Sequence, residues 1–240
     1  MANAGEFPLE NRAPAAAEAF EAAAIARPKV AVDTVLFAVD AQGLKCYLLQ
    51  LGRGPNAGKW AFAGGLVRVG ETLDGAARRA LRDASGLTDT YLEQLFSFGD
   101  PSRDPTAHVV SVAYMALIDN PGRVGAASSK YSAGRWFAAG DLPELAYDHS
   151  LMADYAVARL RAKLEYTNIA CALLPSCFTF AELEEVYAAA LERPLDRRNF
   201  RRRIMAMDLL QRMPEQRRGA HRPAALYAFK HRSVRAIQML

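Results

Sequence analysis

The 240-residue chain has little cysteine, little lysine and no long apolar run. Its three cysteines, Cys46, Cys171 and Cys177, are widely spaced and odd in number. This pattern suits neither a disulfide framework nor a zinc site, and it favours a reducing compartment such as the cytoplasm. No stretch approaches the roughly 18 to 20 apolar residues of a membrane span. With 51% hydrophobic and 23% charged residues, the composition is that of a globular protein and excludes disordered and collagen-like chains.

Arginine supplies 24 of the 30 basic side chains, and its distribution along the chain is uneven. Residues 1–150 carry 14 basic and 17 acidic side chains, whereas residues 151–240 carry 16 and 9. The net charge of +4 therefore combines −3 in the first part with +7 in the second. Between Arg193 and Arg235, 12 arginines and one lysine stand against three acidic residues. A GC-rich genome also raises arginine content, but a local excess of +10 predicts a polyanionic partner.

The N-terminal half reads as a mixture of strands and one helix. Residues 1–28 are rich in Ala and Glu, and we expect a flexible segment there rather than a signal peptide. Two β-rich runs flank a polar turn at residues 41–43, which predicts a hairpin. A helix is predicted from Thr72 to Ser85, closed by Gly86. Further strands are predicted in YLEQLFSFG, AHVVSVAYMALID and the run that ends in RWFAA. This mixture is typical of an α+β sandwich with a mixed sheet.

The C-terminal half is mostly helical and ends in a predicted hairpin. DLPELAYDHS is a polar joint, so we predict domains at residues 29–149 and 150–240. The second domain has three predicted helices, at residues 151–166, in FTFAELEEVYAAALER and in LDRRNFRRRIMAMDLLQRM. Thr179 and Glu182 have capping-box spacing at the start of the second helix. A hairpin around Gly219 follows in PEQRRGAHRPAALYAFK. Helix, helix, helix, hairpin is the order of a winged helix-turn-helix domain.

The third predicted helix combines an apolar stripe with an arginine-rich face. With 100° per residue, Phe200, Ile204 and Met207 form the stripe that packs on the preceding helix, after an N-cap at Asp196. The opposite face suits the DNA major groove, where arginine is the preferred partner of guanine. The predicted DNA-binding residues are Arg197, Arg198, Asn199, Arg201 and Arg202 on the helix, and Arg217, Arg218 and Arg222 on the hairpin. The alternative is a solvated basic face without a partner.

The segment GLVRVGETLDGAARRALRDASGL resembles the Nudix box, in which loop and helix carboxylates hold magnesium against a diphosphate. Gly65, Glu71, Arg79, Leu81, Gly86 and Leu87 match the pattern in register. The three helical carboxylates would fall at positions 80, 83 and 84, where this chain has Ala80, Asp83 and Ala84. One carboxylate cannot hold a hard divalent cation productively, so we expect no metal site and no catalytic residues. Glu71 and Arg79 can persist as a pair that braces the loop against the helix.

The remaining pocket can still bind a nucleotide diphosphate. Gly64 and Gly65 allow the backbone to approach phosphate closely. Arg53, Arg79 and Arg103 are candidate phosphate partners, and Phe62 is either an adenine-stacking residue or part of the core. The alternative for this domain is a dimerisation scaffold with an empty pocket.

Both halves together resemble the Nudix-related transcriptional regulators of NAD metabolism. The resemblance covers about residues 29–230 and rests on YLEQLFSFGDPSRDPTAHVVSVAYMALI, LPELAYDHS, FTFAELEEVY, LDRRNFRRRI and RPAALYAF. It implies a homodimeric repressor on a palindromic operator, with ADP-ribose or a related NAD derivative as effector and no cofactor. It also places Arg103, Asp104 and His108 in a loop beside the effector pocket.

Two other functions remain open from the sequence alone. One is a Nudix pyrophosphatase acting on ADP-ribose or NADH, with an appended nucleic-acid-binding module. The other is an adaptor whose basic region meets an acidic protein. A DNA-binding regulator should lose affinity for duplex DNA as the salt concentration rises, because binding releases counterions from the DNA. The adaptor predicts no such dependence, which separates the two functions.

Overall fold

The computed structural model describes residues 27–125, 128–217 and 223–237. The predicted flexible segment lies almost entirely outside these residues, as do Arg218, Arg222 and the turn at Gly219. Among the described residues, no helix combines the length and the apolar character that a membrane crossing requires.

A seven-stranded mixed sheet forms the centre of the N-terminal half. The predicted hairpin is confirmed, because β1 (Lys29–Asp40) and β2 (Gly43–Leu51) pair antiparallel across a turn that ends at Gly43, with φ of 116°. The path β3-β2-β1-β6-β5 is extended by β4 on β1 and β7 on β2, and β1 pairs in parallel with β6. The other strands are β3 (Trp60–Ala61), β4 (Ala63–Leu66), β5 (Tyr91–Phe98), β6 (Val109–Leu117) and β7 (Tyr131–Ala138).

Helices cover both faces of this sheet. α1 (Leu73–Ser85) begins where Thr72 accepts a hydrogen bond from the Gly75 N–H at 3.1 Å, and it ends at Gly86 with φ of 73°. Both ends were predicted. The helix packs on one face of the sheet through small side chains such as Ala77. α2 (His149–Tyr166) lies on the other face, which makes an α/β/α sandwich as predicted.

α2 also packs against the C-terminal half. Its buried residues, such as Met152 and Leu160, belong to the same apolar cluster as Val35 and Leu48 of the sheet. The cluster continues into α3 (Phe180–Leu191), which packs on β2. One continuous core therefore joins the sheet, α2 and the C-terminal helices.

The C-terminal half is a winged helix domain. α2 and α3 are followed by α4 (Arg197–Ala206), and a three-stranded sheet with the order β8-β10-β9 completes it. Thr179 and Glu182 form the predicted capping box at the start of α3. The sheet consists of β8 (Phe178–Thr179), β9 (Leu210–Arg217) and β10 (Ala224–Phe229). Short 3₁₀ helices lie at Pro121–Arg123 and Ile169–Ala172.

The predicted length of the third helix is wrong. We expected a helix through Met213, but α4 ends at Ala206 and Asp208 has a positive φ of 52°. The chain reverses there, and residues 210–213 form the start of β9, paired with β10. Apolar residues near 210 satisfy a helical pattern and a strand pattern equally, and pairing with β10 decides between them.

The packing of β4 on β1 requires glycine at position 64. A Cβ atom added at Gly64 would lie 1.9 Å from Asp33 Oδ1 and 2.8 Å from the Val32 carbonyl oxygen. We expect Gly64→Ala to lower the free energy of unfolding by about 1–3 kcal/mol, the usual cost of overpacking. The measurement is urea unfolding. Gly65→Ala is the matched control, because its nearest neighbour would be Lys130 Nζ at 3.9 Å. Equal stability of the two variants would contradict this account.

Candidate functional site

A cleft of about 280 Å³ opens at the junction of the sheet with the loops around residues 53, 103 and 130. Its cationic side chains are Arg53, Arg103 and Lys130. Lys130 Nζ donates to the Gly64 carbonyl oxygen at 2.7 Å, so this ammonium group is fixed at the cleft. The other lining residues that carry polar, aromatic or glycine character are Asp33, Gly54, Phe62, Gly64, Gly65, Asp104, Tyr131, Tyr147 and His149. Cations beside aromatic rings suit a ligand with phosphate and a planar group.

Asp33 is a buried carboxylate at the floor of the cleft. It accepts a hydrogen bond from Ser111 Oγ at 2.6 Å, and Nε2 of His149 lies 3.5 Å from its Oδ1. Burial alone would raise the pKa of Asp33, but His149, the Ser111 hydrogen bond and nearby Arg103 hold this pKa below its ordinary value. The carboxylate is therefore ionised at neutral pH.

His149 is the first residue of α2, and its ring is held on both sides. Its Nδ1 accepts a hydrogen bond from the Phe62 backbone N–H at 3.1 Å, and the two rings stack 5.0 Å apart. Because Nδ1 is an acceptor, this arrangement assigns the ring proton to Nε2, which faces Asp33. The ring thereby ties the start of α2 to the cleft floor.

Arg103 forms a buried, bidentate ion pair at the cleft. Its Nε lies 2.9 Å from Asp148 Oδ2 and its Nη2 lies 2.7 Å from Asp148 Oδ1, which is a bidentate pair. Nη2 also lies 3.8 Å from Asp33 Oδ2. The Arg103 side chain is only 3% exposed, so solvent screens the pair weakly. A loop arginine thus connects the cleft to the residue before α2.

The structure places six of the eight predicted effector-binding residues at the cleft. These are Arg53, Phe62, Gly64, Gly65, Arg103 and Asp104. Arg79 and His108 do not line it. Arg79 is paired with Glu71, and His108 is exposed and accepts a backbone hydrogen bond from Lys29 through its carbonyl oxygen.

Among the polar and aromatic residues of the cleft, sequence reasoning missed five, namely Asp33, Lys130, Tyr131, Tyr147 and His149. Asp33 is the one charged residue inside the apolar run of β1, which is a usable signal. Tyr147 and His149 lie in DLPELAYDHS, the predicted joint between the domains. Lys130 lies in the turn before β7 and Tyr131 is the first residue of β7, far along the chain from the Nudix-like motif, and only the fold brings them to the cleft.

The Nudix-like loop and helix are braced as predicted. Arg79 Nε lies 2.7 Å from Glu71 Oε1 and its Nη2 lies 2.8 Å from Oε2. Glu71 also accepts from the Arg68 N–H at 3.1 Å, and Arg79 donates to the Leu66 carbonyl oxygen at 3.1 Å. Hydrogen bonds from Arg79 and Arg68 lower the pKa of Glu71 to about 2. The Glu71 carboxylate is fully engaged inside the protein.

The residues at the other Nudix carboxylate positions do not fit a divalent cation. Ala80 and Ala84 are buried against the sheet, and Asp83 is exposed with its carboxylate 3.8 Å from Arg82. Hard cations bind through several oxygen ligands, and these two positions offer none. In residues 27–125, 128–217 and 223–237, no group of three or more His, Cys, Asp or Glu side chains could hold a metal ion.

α4 places its arginines unequally. Phe200 packs 4.9 Å from the Tyr187 ring and Ile204 is buried, so the predicted apolar stripe packs on α3. Arg198 and Arg202 are exposed, and Arg202 donates to Asn199 Oδ1 at 2.8 Å. These two side chains lie on the face that the helix turns away from its own domain.

The other predicted DNA-binding side chains that the structure describes have partners within the protein. Arg201 lies 4.6 Å from the Phe180 ring centroid and donates to the Tyr227 hydroxyl at 3.2 Å. Arg197 Nε lies 3.7 Å from Glu184, and Arg217 pairs with Glu182. Helical periodicity placed Arg201 on the free face, but its long side chain bends back over an aromatic ring.

Fold and site together define a protein with a Nudix-type ligand-binding domain and a winged helix domain of the kind that binds DNA. The model of the NUDIX domain matches residues 27–157. The model of the NrtR DNA-binding winged helix domain matches residues 170–229. The chain belongs to the NrtR family of Nudix-related transcriptional regulators.

Two relatives, one of them represented by two crystal structures, resemble the chain. The ADPR responsive transcriptional repressor NtrR of Acinetobacter baylyi is 33% identical over 205 residues, covering 84% of this chain and 82% of that protein. The crystal structure of Shewanella oneidensis NrtR complexed with a 27mer DNA has a TM-score of 0.75 and 32% identity, covering 84% of this chain and 93% of that one. The NUDIX domain of the same protein complexed with ADP ribose has a TM-score of 0.54 and 30% identity, covering 61% and 99%.

The Glu71–Arg79 pair predicts a pH-dependent effect on stability. Because the folded-state pKa of Glu71, about 2, lies below its ordinary value of 4.5, the pair stabilises the protein above pH 4.5 and loses this effect as the pH falls towards 2. We expect Glu71→Gln to be less stable than the wild type at pH 6, with a smaller difference at pH 3. Urea unfolding at both pH values measures it. A difference that is equal at both pH values would contradict this assignment.

Proposed function

We propose that this protein is a repressor that binds operator DNA through its winged helix domain and is released by ADP-ribose or a related NAD derivative. The observation that carries the proposal is the cleft, where Arg53, Arg103 and Lys130 lie beside Tyr131 and Tyr147. Three cations suit a diphosphate, and aromatic rings suit a base or ribose. The Acinetobacter and Shewanella relatives support ADP-ribose in particular. By the same resemblance, the regulated genes are those of NAD biosynthesis or salvage.

The division of work follows the two halves of the chain. Residues 29–149 form the effector domain in this proposal, and residues 150–240 form the DNA-binding domain. α4 enters the major groove, where Arg198 and Arg202 read base edges and Asn199 contributes from the rim. Arg197 and Arg217 reach backbone phosphate by leaving their carboxylate partners, and Arg201 supports the helix. Arg218 and Arg222, which lie outside the described residues, also bind phosphate in this proposal. The 27mer DNA complex of the Shewanella relative supports this interface.

We propose that the repressor acts as a homodimer in the cytoplasm on a palindromic operator. β5 is an edge strand of the sheet in the described part of the chain, and it carries the exposed Phe96. Phe96 is 50% exposed and stacks 4.9 Å from Tyr155 of α2, a helix that also carries Leu151, 60% exposed. A free edge with exposed aromatic residues supports contact with a second copy. Sedimentation should give two protomers per operator.

We further propose that the protein does not hydrolyse its effector. Ala80 and Ala84 are apolar and buried where a Nudix hydrolase holds its metal, and Glu71 is engaged by Arg79. Metal-assisted attack by water needs ligands that these positions lack. The protein would therefore keep a nucleotide intact while it is bound, which suits a sensor of its concentration.

The effector is tested on the purified full chain with an operator fragment. ADP-ribose at micromolar to millimolar concentration should release the DNA in a gel shift, because an effector acts through its different affinity for two states. No AMP should appear in the same samples with magnesium or manganese. Unchanged operator binding across millimolar ADP-ribose would refute the effector. Metal-dependent AMP release that is lost in Asp83→Asn would favour the pyrophosphatase instead.

The DNA-reading face is tested by Arg198→Ala combined with Arg202→Ala. Each good bidentate base contact contributes about 1–3 kcal/mol, so we expect the operator affinity to fall at least about tenfold. Arg78→Ala with Arg82→Ala removes the same charge from exposed positions on α1 and serves as the control. Fluorescence anisotropy on operator and on unrelated duplex measures both. Equal losses in the two double variants would show that charge alone is responsible.

A further inference from the structure

Asp148 stands at the N-cap position of α2 but does not cap the helix. In α1, α3 and α4 an N-cap side chain accepts a first-turn N–H, from Gly75 at 3.1 Å, Glu182 at 3.2 Å and Asn199 at 3.1 Å. Asp148 makes no such hydrogen bond. Its two carboxylate oxygens are held by Arg103 of the cleft, at 2.7 and 2.9 Å. An N-cap carboxylate is thus diverted from its helix to a ligand-lining arginine.

The backbone beside Asp148 is strained. Tyr147 has a positive φ of 56°, a conformation that non-glycine residues seldom adopt, and its side chain lines the cleft. His149 on the other side is fixed by the Phe62 N–H and lies beside Asp33. Strained backbone of this kind is often found at switch regions. The short segment 147–149 therefore connects the cleft directly to the start of α2.

The C-terminal part of α2 in turn contacts α3 and lies in one buried cluster with α4. Arg161 Nε donates to the Ala190 carbonyl oxygen at 3.0 Å, and its Nη2 lies 2.7 Å from Glu192. Leu160 and Leu164 share one buried cluster with α3 and with Ile204 of α4. Packed side chains thus connect α2 to the recognition helix.

We propose that Asp148 is a positioning residue with two mutually exclusive partners. It pairs with Arg103 in the arrangement described above, and it turns to the first-turn N–H groups of α2 when a phosphate of the effector takes Arg103. The Asp148 carboxylate is stabilised in both positions. The bidentate pair with Arg103 stabilises it in the first, and capping together with the helix dipole stabilises it in the second. Effector binding would thereby move the start of α2 and, with it, α4. This inference rests on the proposed function and adds its route of regulation.

The test is Asp148→Asn in the full chain, with ADP-ribose and an operator fragment as the two probes. Asn still caps a helix but cannot form the ion pair, so Arg103 is released without effector. We expect a higher affinity for ADP-ribose and a lower affinity for the operator, each changed at least about fivefold, the lower end of usual coupling between sites. ADP-ribose should then reduce operator affinity less than it does in the wild type. Asp148→Ser, another good cap, should behave alike.

Asp154→Asn is the matched control, because Asp154 is an exposed carboxylate on α2 itself and does not line the cleft. It removes the same charge from the same helix and should leave operator affinity unchanged. Equal operator loss in Asp154→Asn would overturn the switch, since charge alone would explain it. A loss of both affinities in the Asp148 variants, or wild-type values for both, would also overturn it. A wild-type protein whose operator binding ignores ADP-ribose would instead refute the proposed function itself.

Discussion

The packing of α2 on both the sheet and the C-terminal helices is the constraint on which the rest of the structure depends. Met152 and Leu160 of this helix lie in one buried cluster with β-strand residues and with α3. Burial of an apolar side chain contributes about 1.5–3 kcal/mol, so several such residues hold the two halves in one arrangement. α2 begins at the cleft and ends beside the winged helix. If ligand binding at its start moves this helix, the C-terminal half is therefore affected as well.

Much of this organisation could be predicted from the sequence. Local signals with one dominant physical cause were reliable: Thr72 and Gly86 bound α1, Thr179 caps α3, and the turn before Gly43 makes a hairpin. The Glu71–Arg79 brace was also predicted, as a structural reason for both residues to persist in the motif. These features depend on residues close in sequence, and the printed residues alone decide them.

Features that depend on distant contacts could not be predicted in the same way. The predicted end of α4 was wrong, because the residues from Leu210 onward form a strand that pairs with β10. Arg201 was expected on the free face, and only Phe180 and Tyr227 show why it turns inward. The cleft residues Lys130 and His149 are far along the chain from the Nudix-like motif by which the domain was predicted. Periodicity gives the direction of a Cα–Cβ bond, whereas a long side chain follows its partners.

The most direct measurement of the central claim is the affinity of ADP-ribose for the protein with and without saturating operator DNA, by titration calorimetry. Coupling between two sites is reciprocal, so DNA must weaken ADP-ribose binding by the same factor as ADP-ribose weakens DNA binding. The account predicts weaker ADP-ribose binding on the operator complex, by about 5-fold to 150-fold, and no change with unrelated duplex at a salt concentration where it does not bind. Equal ADP-ribose affinity in the free and operator-bound protein would contradict the account.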